Sequence, residues 1–206
     1  MELYLSSYKF GSETQKLKEM VGANKKAALI SNALDFSTDI ERTEASTASE
    51  LSGLKELGFE PEELDLRDYF GKPEELKEKM KQYGLVWVRG GNTFVLRRAM
   101  KQSGFDEIIT EMVKKNEIVY AGYSAGVCVI TPTLEGTELI DDPCIVPEGY
   151  EPEVIWEGLG LVDFRVAPHY RSDHPESAVV EKAVEFYEKK KVSYKALRDG
   201  EVIVIH

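Results

Sequence analysis

The chain has 206 residues, a formal net charge of −11 and a sequence pI near 4.9. That balance argues against a nucleic-acid binder, which needs a basic face against phosphate, and against adhesion to an anionic membrane surface. With 42% hydrophobic and 31% charged residues the composition is that of an ordinary globular chain, and the length suits one domain over 1–206. The two cysteines, Cys128 and Cys144, are too few for a disulfide framework. No apolar run is long enough for a transmembrane helix, and the first twenty residues lack the basic and apolar regions of a signal peptide. The expectation is a reduced, cytoplasmic protein, monomeric or homodimeric.

Short apolar runs alternate with amphipathic stretches along the chain. Glu2–Ser6 reads as a strand, and Ser12 with Gln15 has capping-box spacing ahead of a helix that stops near Gly22. Lys26–Ser31 is continuously apolar, as a strand buried on both faces should be. A helix over Glu41–Leu57 and a weak strand around Leu64–Leu66 follow, then a helix opened by Pro73 that ends at Gly84. Leu85–Val88 is a strand running into Arg89-Gly90-Gly91-Asn92, with a helix to about Gln102 and another capped by Asp106. Ile118–Ala121 is a strand, Gly122–Gly126 a tight turn and Val127–Ile130 the opening of a helix. Residues 131–164 carry prolines at 132, 143, 147 and 152 and read as loops or hairpins. Val162–Ala167 is a strand, and Asp173 with Pro175 starts a helix to about Lys190. Tyr194–Leu197 and Val202–Ile205 form a terminal hairpin about Asp199-Gly200. Strands alternating with helices imply right-handed crossovers, hence an α/β fold with a mainly parallel sheet and helices on both faces.

Sites in open parallel sheets gather at the carboxyl ends of the strands. Gly122-Tyr123-Ser124-Ala125-Gly126 is a G-x-S-x-G motif between a strand and a helix, the setting of a nucleophile elbow. There the serine projects its hydroxyl from a strained turn, and the Ala125 N–H points into the same space. Gly90-Gly91-Asn92-Thr93, after another strand, can present bare N–H groups to an oxyanion, or can be a tight turn in which Asn92 caps the helix. Of three histidines, His169 follows an apolar strand on the same rim as Ser124; His174 lies at a helix start, where a surface cap is the simpler role, and His206 ends the sequence. A base of this kind needs an orienting carboxylate, and spacing alone leaves Asp199, Glu138, Asp141 and Asp142 open. Arg171, and after it Arg89, are the cations best placed for a substrate carboxylate. No metal-ligand pattern is present, and Cys128, one turn into the elbow helix, reads as structural.

The segments Gly90-Gly91-Asn92-Thr93-Phe94, Gly122-Tyr123-Ser124-Ala125-Gly126 and Pro168-His169-Tyr170, in this order, resemble the peptidase E (aspartyl dipeptidase) family of serine peptidases. The resemblance runs over nearly the whole chain. It implies a flavodoxin-like three-layer sandwich akin to the class I glutamine amidotransferases, with serine replacing their elbow cysteine. It further implies Ser124 as nucleophile, His169 as base and Asp199 as the acid, with Gly91 and Ala125 supplying the oxyanion-hole N–H groups. Gly90, Asn92, Tyr123 and Arg171 are then the expected substrate contacts, a small peptide the partner, and no cofactor or metal is required. The family's run is often three glycines; Arg89 stands here in place of the first. A related hydrolase on another acidic amide, such as a cyanophycin-like polymer or an isopeptide, and a non-catalytic ligand-binding member of the fold are the alternative readings.

Overall fold

A computed structural model describes residues 1–206. In chain order the elements are β1 (Leu3–Ser6), α1 (Thr14–Met20), β2 (Lys26–Ile30), α2 (Ile40–Glu56), β3 (Glu60–Glu63), α3 (Pro73–Met80) and β4 (Leu85–Val88). There follow α4 (Thr93–Ser103), α5 (Phe105–Lys114), β5 (Val119–Tyr123), the one-turn α6 (Ala125–Cys128), β6 (Arg165–Ala167), α7 (Ser177–Lys190), β7 (Tyr194–Ala196) and β8 (Val202–Ile205). Six strands form one sheet in the order β3-β2-β4-β5-β1-β8, parallel except for β8, and β6 with β7 forms a separate parallel pair.

The apolar runs are continuous because both faces of the sheet are covered. Leu3, Leu5, Ala28, Ile30, Val86, Val88 and Tyr120 point to a core shared with α3, α4 and α5. The alternating residues Tyr4, Ala27, Leu29, Trp87, Ala121 and Tyr123 point the other way, against Leu17 of α1 and Leu54 of α2. The expected three layers are therefore present, with all parallel strands ending on one rim. Asn92 Oδ1 accepts the Phe94 and Val95 N–H groups at 2.9 and 3.0 Å, which starts α4 immediately behind that rim. The irregular stretch after α6 contains no hairpin, only an isolated bridge between Thr133 and Glu157. It is fastened to α4 by the buried Arg98, whose guanidinium donates to the carbonyls of Pro143, Ile145, Pro152 and Glu153.

Several local expectations are corrected. β3 is Glu60–Glu63 rather than Leu64–Leu66; as an edge strand it needs only backbone pairing with β2, so its exposed glutamates and Pro61 carry no apolar signal. Leu64 and Leu66 are buried just past its end. α1 starts at Thr14 without a side-chain cap from Ser12, whose N–H bonds Gly200 O instead. α5 starts at Phe105 after Gly104 at φ 75°, and Asp106 is the buried ion-pair partner of Arg97 at 2.9 Å. α7 starts only at Ser177. The terminal strands are not a hairpin: β7 pairs with β6, and β8 pairs antiparallel with β1. The turn between them, closed by Glu201 N–H to Arg198 O at 2.9 Å, has positive φ at Gly200 (96°) but not at Asp199. That is type II geometry, which splays the flanking strands where a hairpin needs a primed turn.

Candidate active site

Ser124 sits between β5 and α6 with φ 51° and ψ −116°, a combination that costs a non-glycine residue roughly 1–3 kcal/mol and persists only where the surroundings enforce it. The enforcement comes from the flanking glycines. A Cβ on Gly122 would lie 2.5 Å, and one on Gly126 2.2 Å, from the Val88 carbonyl oxygen, so only glycine lets β5 and α6 close onto β4. Gly90 is pressed on the serine itself: a Cβ there would meet Ser124 Cβ at 2.8 Å. Gly91, at φ 145°, backs onto Ala33, whose carbonyl oxygen would lie 2.4 Å from an added Cβ. The N–H groups of Gly91 and Ala125 make no intramolecular hydrogen bond, so both are free to donate to an incoming oxygen.

Register brings the second half of the site to the same place. Ser6 of β1 pairs with Tyr123 of β5, so Ser7 and Ser124 leave adjacent parallel strands side by side. Ser7 Oγ accepts the His169 N–H at 2.8 Å and donates to Asp199 Oδ1 at 2.9 Å. Asp199 Oδ1 in turn lies 2.7 Å from His169 Nδ1, and the Asp199 N–H donates to Ser172 Oγ at 2.8 Å. A carboxylate at Nδ1 takes the N–H there and leaves the lone pair on Nε2. Nε2 is buried and has no hydrogen-bond partner, with none to Ser124 Oγ. His169 adopts φ 60° just past β6 and is 1% exposed. Burial lowers its pKa below 6.5, the Asp199 hydrogen bond works in the opposite direction, and His174 reinforces the lowering.

The remaining candidates fall into place by their contacts. Asp141 Oδ2 accepts the Thr93 N–H at 2.9 Å, Asp142 Oδ1 the Cys144 N–H at 2.8 Å and Glu138 the Gly136 N–H at 2.5 Å; none of the three bonds His169. Burial pushes the Asp141 carboxyl up to about 6. Tyr123 turns its hydroxyl away from the rim to Glu50 Oε1 at 3.0 Å, and the Asn92 amide donates to Asp142 O at 3.0 Å. Arg89 is buried beneath α2, where it donates to Ser46 Oγ at 2.8 Å. Arg171 is exposed, lies 4.9 Å from the centre of the Tyr170 ring and has no carboxylate partner. Cys128 is buried in the core, which raises its thiol pKa far above the ordinary value. A cavity of about 670 Å³ opens beyond β2 and β3 along Ser31, Asp35, Thr47, Asp65 and Arg67; neither Ser124 nor His169 lines it.

Three contributors were missed at the level of sequence. Ser7 was detectable, since it follows a strand on the functional rim. Tyr8 and His174 were not: the Tyr8 ring stands edge-on to Tyr123 (6.0 Å), His169 (5.8 Å) and His174 (5.6 Å). His174, expected as a surface cap, stacks on His169 at 3.7 Å between centroids and 8° between planes. His169, His174 and Glu176 each bring one donor atom within 4.8 Å of the others, but parallel rings aim their lone pairs side by side, so the trio is a stack and no chelate.

The profile of Peptidase family S51 matches residues 5–206. The chain belongs to Peptidase family S51. Among curated relatives it is similar to an uncharacterized peptidase of Listeria monocytogenes, 30% identical over 68% of this chain and 65% of that protein. It is also similar to peptidase E of Streptomyces coelicolor, 34% identical over 56% of this chain and 46% of that one. The matched stretches thus span less than two thirds of these relatives. In architecture it is similar to a crystal structure from Listeria monocytogenes EGD-e described as a putative peptidase E. That comparison gives a TM-score of 0.74 at 24% identity, covering 100% of this chain and 98% of the other. The mainly parallel six-stranded sheet with interleaved helices is therefore the S51 arrangement, a class I glutamine amidotransferase-like fold.

Proposed function

We propose that this protein is a serine peptidase that cleaves short peptides through an acyl-enzyme on Ser124, with His169 as general base and Asp199 as its orienting acid. The observation that carries this reading is the state of His169: its ring is fixed through Nδ1 by Asp199 at 2.7 Å, while Nε2 is buried and unpartnered. A merely structural histidine would have that nitrogen satisfied. In the proposed cycle Ser124 Oγ attacks the peptide carbonyl carbon as Nε2 takes its proton, and the oxyanion accepts from the Gly91 and Ala125 N–H groups. Nε2 then protonates the departing amine, and the C–N bond breaks to leave the acyl-serine. Water enters, loses a proton to Nε2 and releases the acid, restoring the serine. Hydrogen bonds of this kind tighten when substrate binds, in keeping with an unbonded Nε2 in the free protein.

The substrate preference we propose is a dipeptide with an amino-terminal aspartate. A relative in Drosophila melanogaster carries the name probable alpha-aspartyl dipeptidase, at 32% identity over 60% of this chain. Of the two arginines considered, Arg171 supports this preference better, being exposed two residues beyond the base, whereas Arg89 is committed beneath α2. The test is hydrolysis of a panel of Asp-Xaa and neutral dipeptides. Wild type should cleave Asp-Leu in preference to Leu-Leu, Ser124→Ala neither, and Arg171→Gln should raise KM for Asp-Leu alone. Turnover by Ser124→Ala at the wild-type rate would overturn the mechanism; equal turnover of both dipeptides would overturn the preference.

A further inference from the structure

The loop between β6 and α7 does more than deliver His169. Its backbone reverses at His169 (φ 60°) and again at Arg171 (φ 50°), and this fold-back lays the imidazole of His174 flat on that of His169. The stack is held on every side. Tyr8 places its ring edge-on against both imidazoles, at 5.8 Å and 5.6 Å. His174 Nδ1 accepts the Glu176 N–H at 3.3 Å and lies 4.0 Å from Glu176 Oε2. Pro175 stiffens the chain between those two residues. Asp199 and Ser7 clamp the far edge and the backbone of His169.

We propose that His174 is a positioning residue for the base: stacked on His169 and pinned by Tyr8 and Glu176, it fixes the plane of the His169 ring, and with it the direction of Nε2, and resists a positive charge on that ring. The proposal rests on His169 being the base. Its physical content is twofold. A hydrogen bond at Nδ1 alone leaves the ring free to rock about that bond, and a flat neighbour at 3.7 Å removes this freedom. Two imidazolium rings at that separation repel, so a charge on His174 opposes protonation of His169. The titratable and charged groups facing the pair are Asp199 from the turn before β8, Glu176 ahead of α7 and Tyr8 after β1. Arg171 and Asp173, on the same loop, are exposed and make no ion pair with either ring. Burial of His169 and the charge of His174 push the base in the same direction, toward the neutral form that can accept the serine proton.

The experiment compares His174→Ala and His174→Phe with wild type on one cleaved dipeptide. It measures kcat, KM, the acid limb of kcat/KM and the NMR titration of the His169 ring. His174→Ala should lose on the order of tenfold or more in kcat with KM within about twofold, the pattern of a misplaced base. His174→Phe keeps a flat ring without a titratable charge, so it should recover most of kcat. In both variants the acid limb and the His169 titration should move to higher pH. A merely structural side chain would leave the limb where it is. Wild-type kcat and an unmoved limb in His174→Ala, or a Phe variant as impaired as the Ala variant, would overturn the proposal. His169→Ala separates the two levels. If it remains fully active, base and stack fall together; if it is inactive while His174→Ala is unaffected, only the stack falls.

Discussion

Replacing Asp199 by asparagine probes the smallest change with the largest expected effect. The amide has the same shape and the backbone N–H of residue 199 keeps its bond to Ser172 Oγ, so the splayed turn between β7 and β8 should persist. The chemistry at His169 does not persist. The carboxylate now takes the N–H of Nδ1 at 2.7 Å; an amide that turns its NH2 toward Nδ1 stabilises the opposite tautomer, with the proton on Nε2. In that tautomer Nε2 cannot accept from Ser124, and the imidazolium formed during attack has lost its negative neighbour. In triads of this construction the change costs on the order of 10⁴ in kcat, about 5 kcal/mol of transition-state stabilisation. The folding cost is smaller, roughly 1–3 kcal/mol, because what changes is one hydrogen bond between a neutral ring and a carboxylate that is 24% exposed. The assay is turnover of the best dipeptide alongside the rate of inactivation by a fluorophosphonate, with a denaturant melt as control. A variant that keeps activity within tenfold of wild type would refute the assignment, most decisively if Asp141→Asn or Glu138→Gln were the one to fail.

Three further outcomes are expected. Asp141→Asn should leave activity intact and stabilise the protein above about pH 7. The buried carboxyl titrates near 6 instead of 3.8, so between those values the folded state holds a proton the unfolded state has released; stability falls as pH rises through that window. Removing the penalty should return about 1–3 kcal/mol at pH 8 and nothing near pH 4, read from urea melts at the two pH values. Activity should persist below pH 6.5, because burial lowers the pKa of His169 and the base stays neutral. An acid limb of kcat/KM centred above 6.5 would contradict this. Gly90→Ala should harm function more than folding: its Cβ would press Ser124 at 2.8 Å and Tyr123 Cε2 at 3.0 Å, displacing Ser124. A loss of about 10² or more in inactivation rate against roughly 1–3 kcal/mol in stability is expected; unchanged inactivation would show that the contact does not set the position of Ser124.

What could be read from sequence follows the physics of burial. β1, β2, β4 and β5 announced themselves because both faces are covered, leaving uninterrupted apolar runs. β3 was displaced because an edge strand is specified by its neighbour's backbone, and nothing in Glu60-Pro61-Glu62-Glu63 says so. The Asp-Gly turn was recognised while the partners of its strands were not, since β8 pairs with β1 at the opposite end of the chain and β7 pairs with β6 across α7. At the candidate site, Ser124, the glycines and His169 stand out in the sequence because strained turns and strand ends demand particular residues. Spacing left four carboxylates for the acid, and only the fold brings Asp199, and not Asp141, Asp142 or Glu138, against Nδ1. The His169–His174 stack was invisible, because it depends on two positive-φ reversals within a loop that carries no glycine.

The central claim is that Ser124 is a nucleophile activated by His169. Intact-mass analysis after exposure to a fluorophosphonate probe tests it without knowledge of the substrate. Wild type should gain a single adduct that maps to Ser124, Ser124→Ala none, and His169→Ala should label slower by a factor on the order of 10³. Labelling of wild type no faster than that of His169→Ala, or an adduct that survives in Ser124→Ala, would contradict the account.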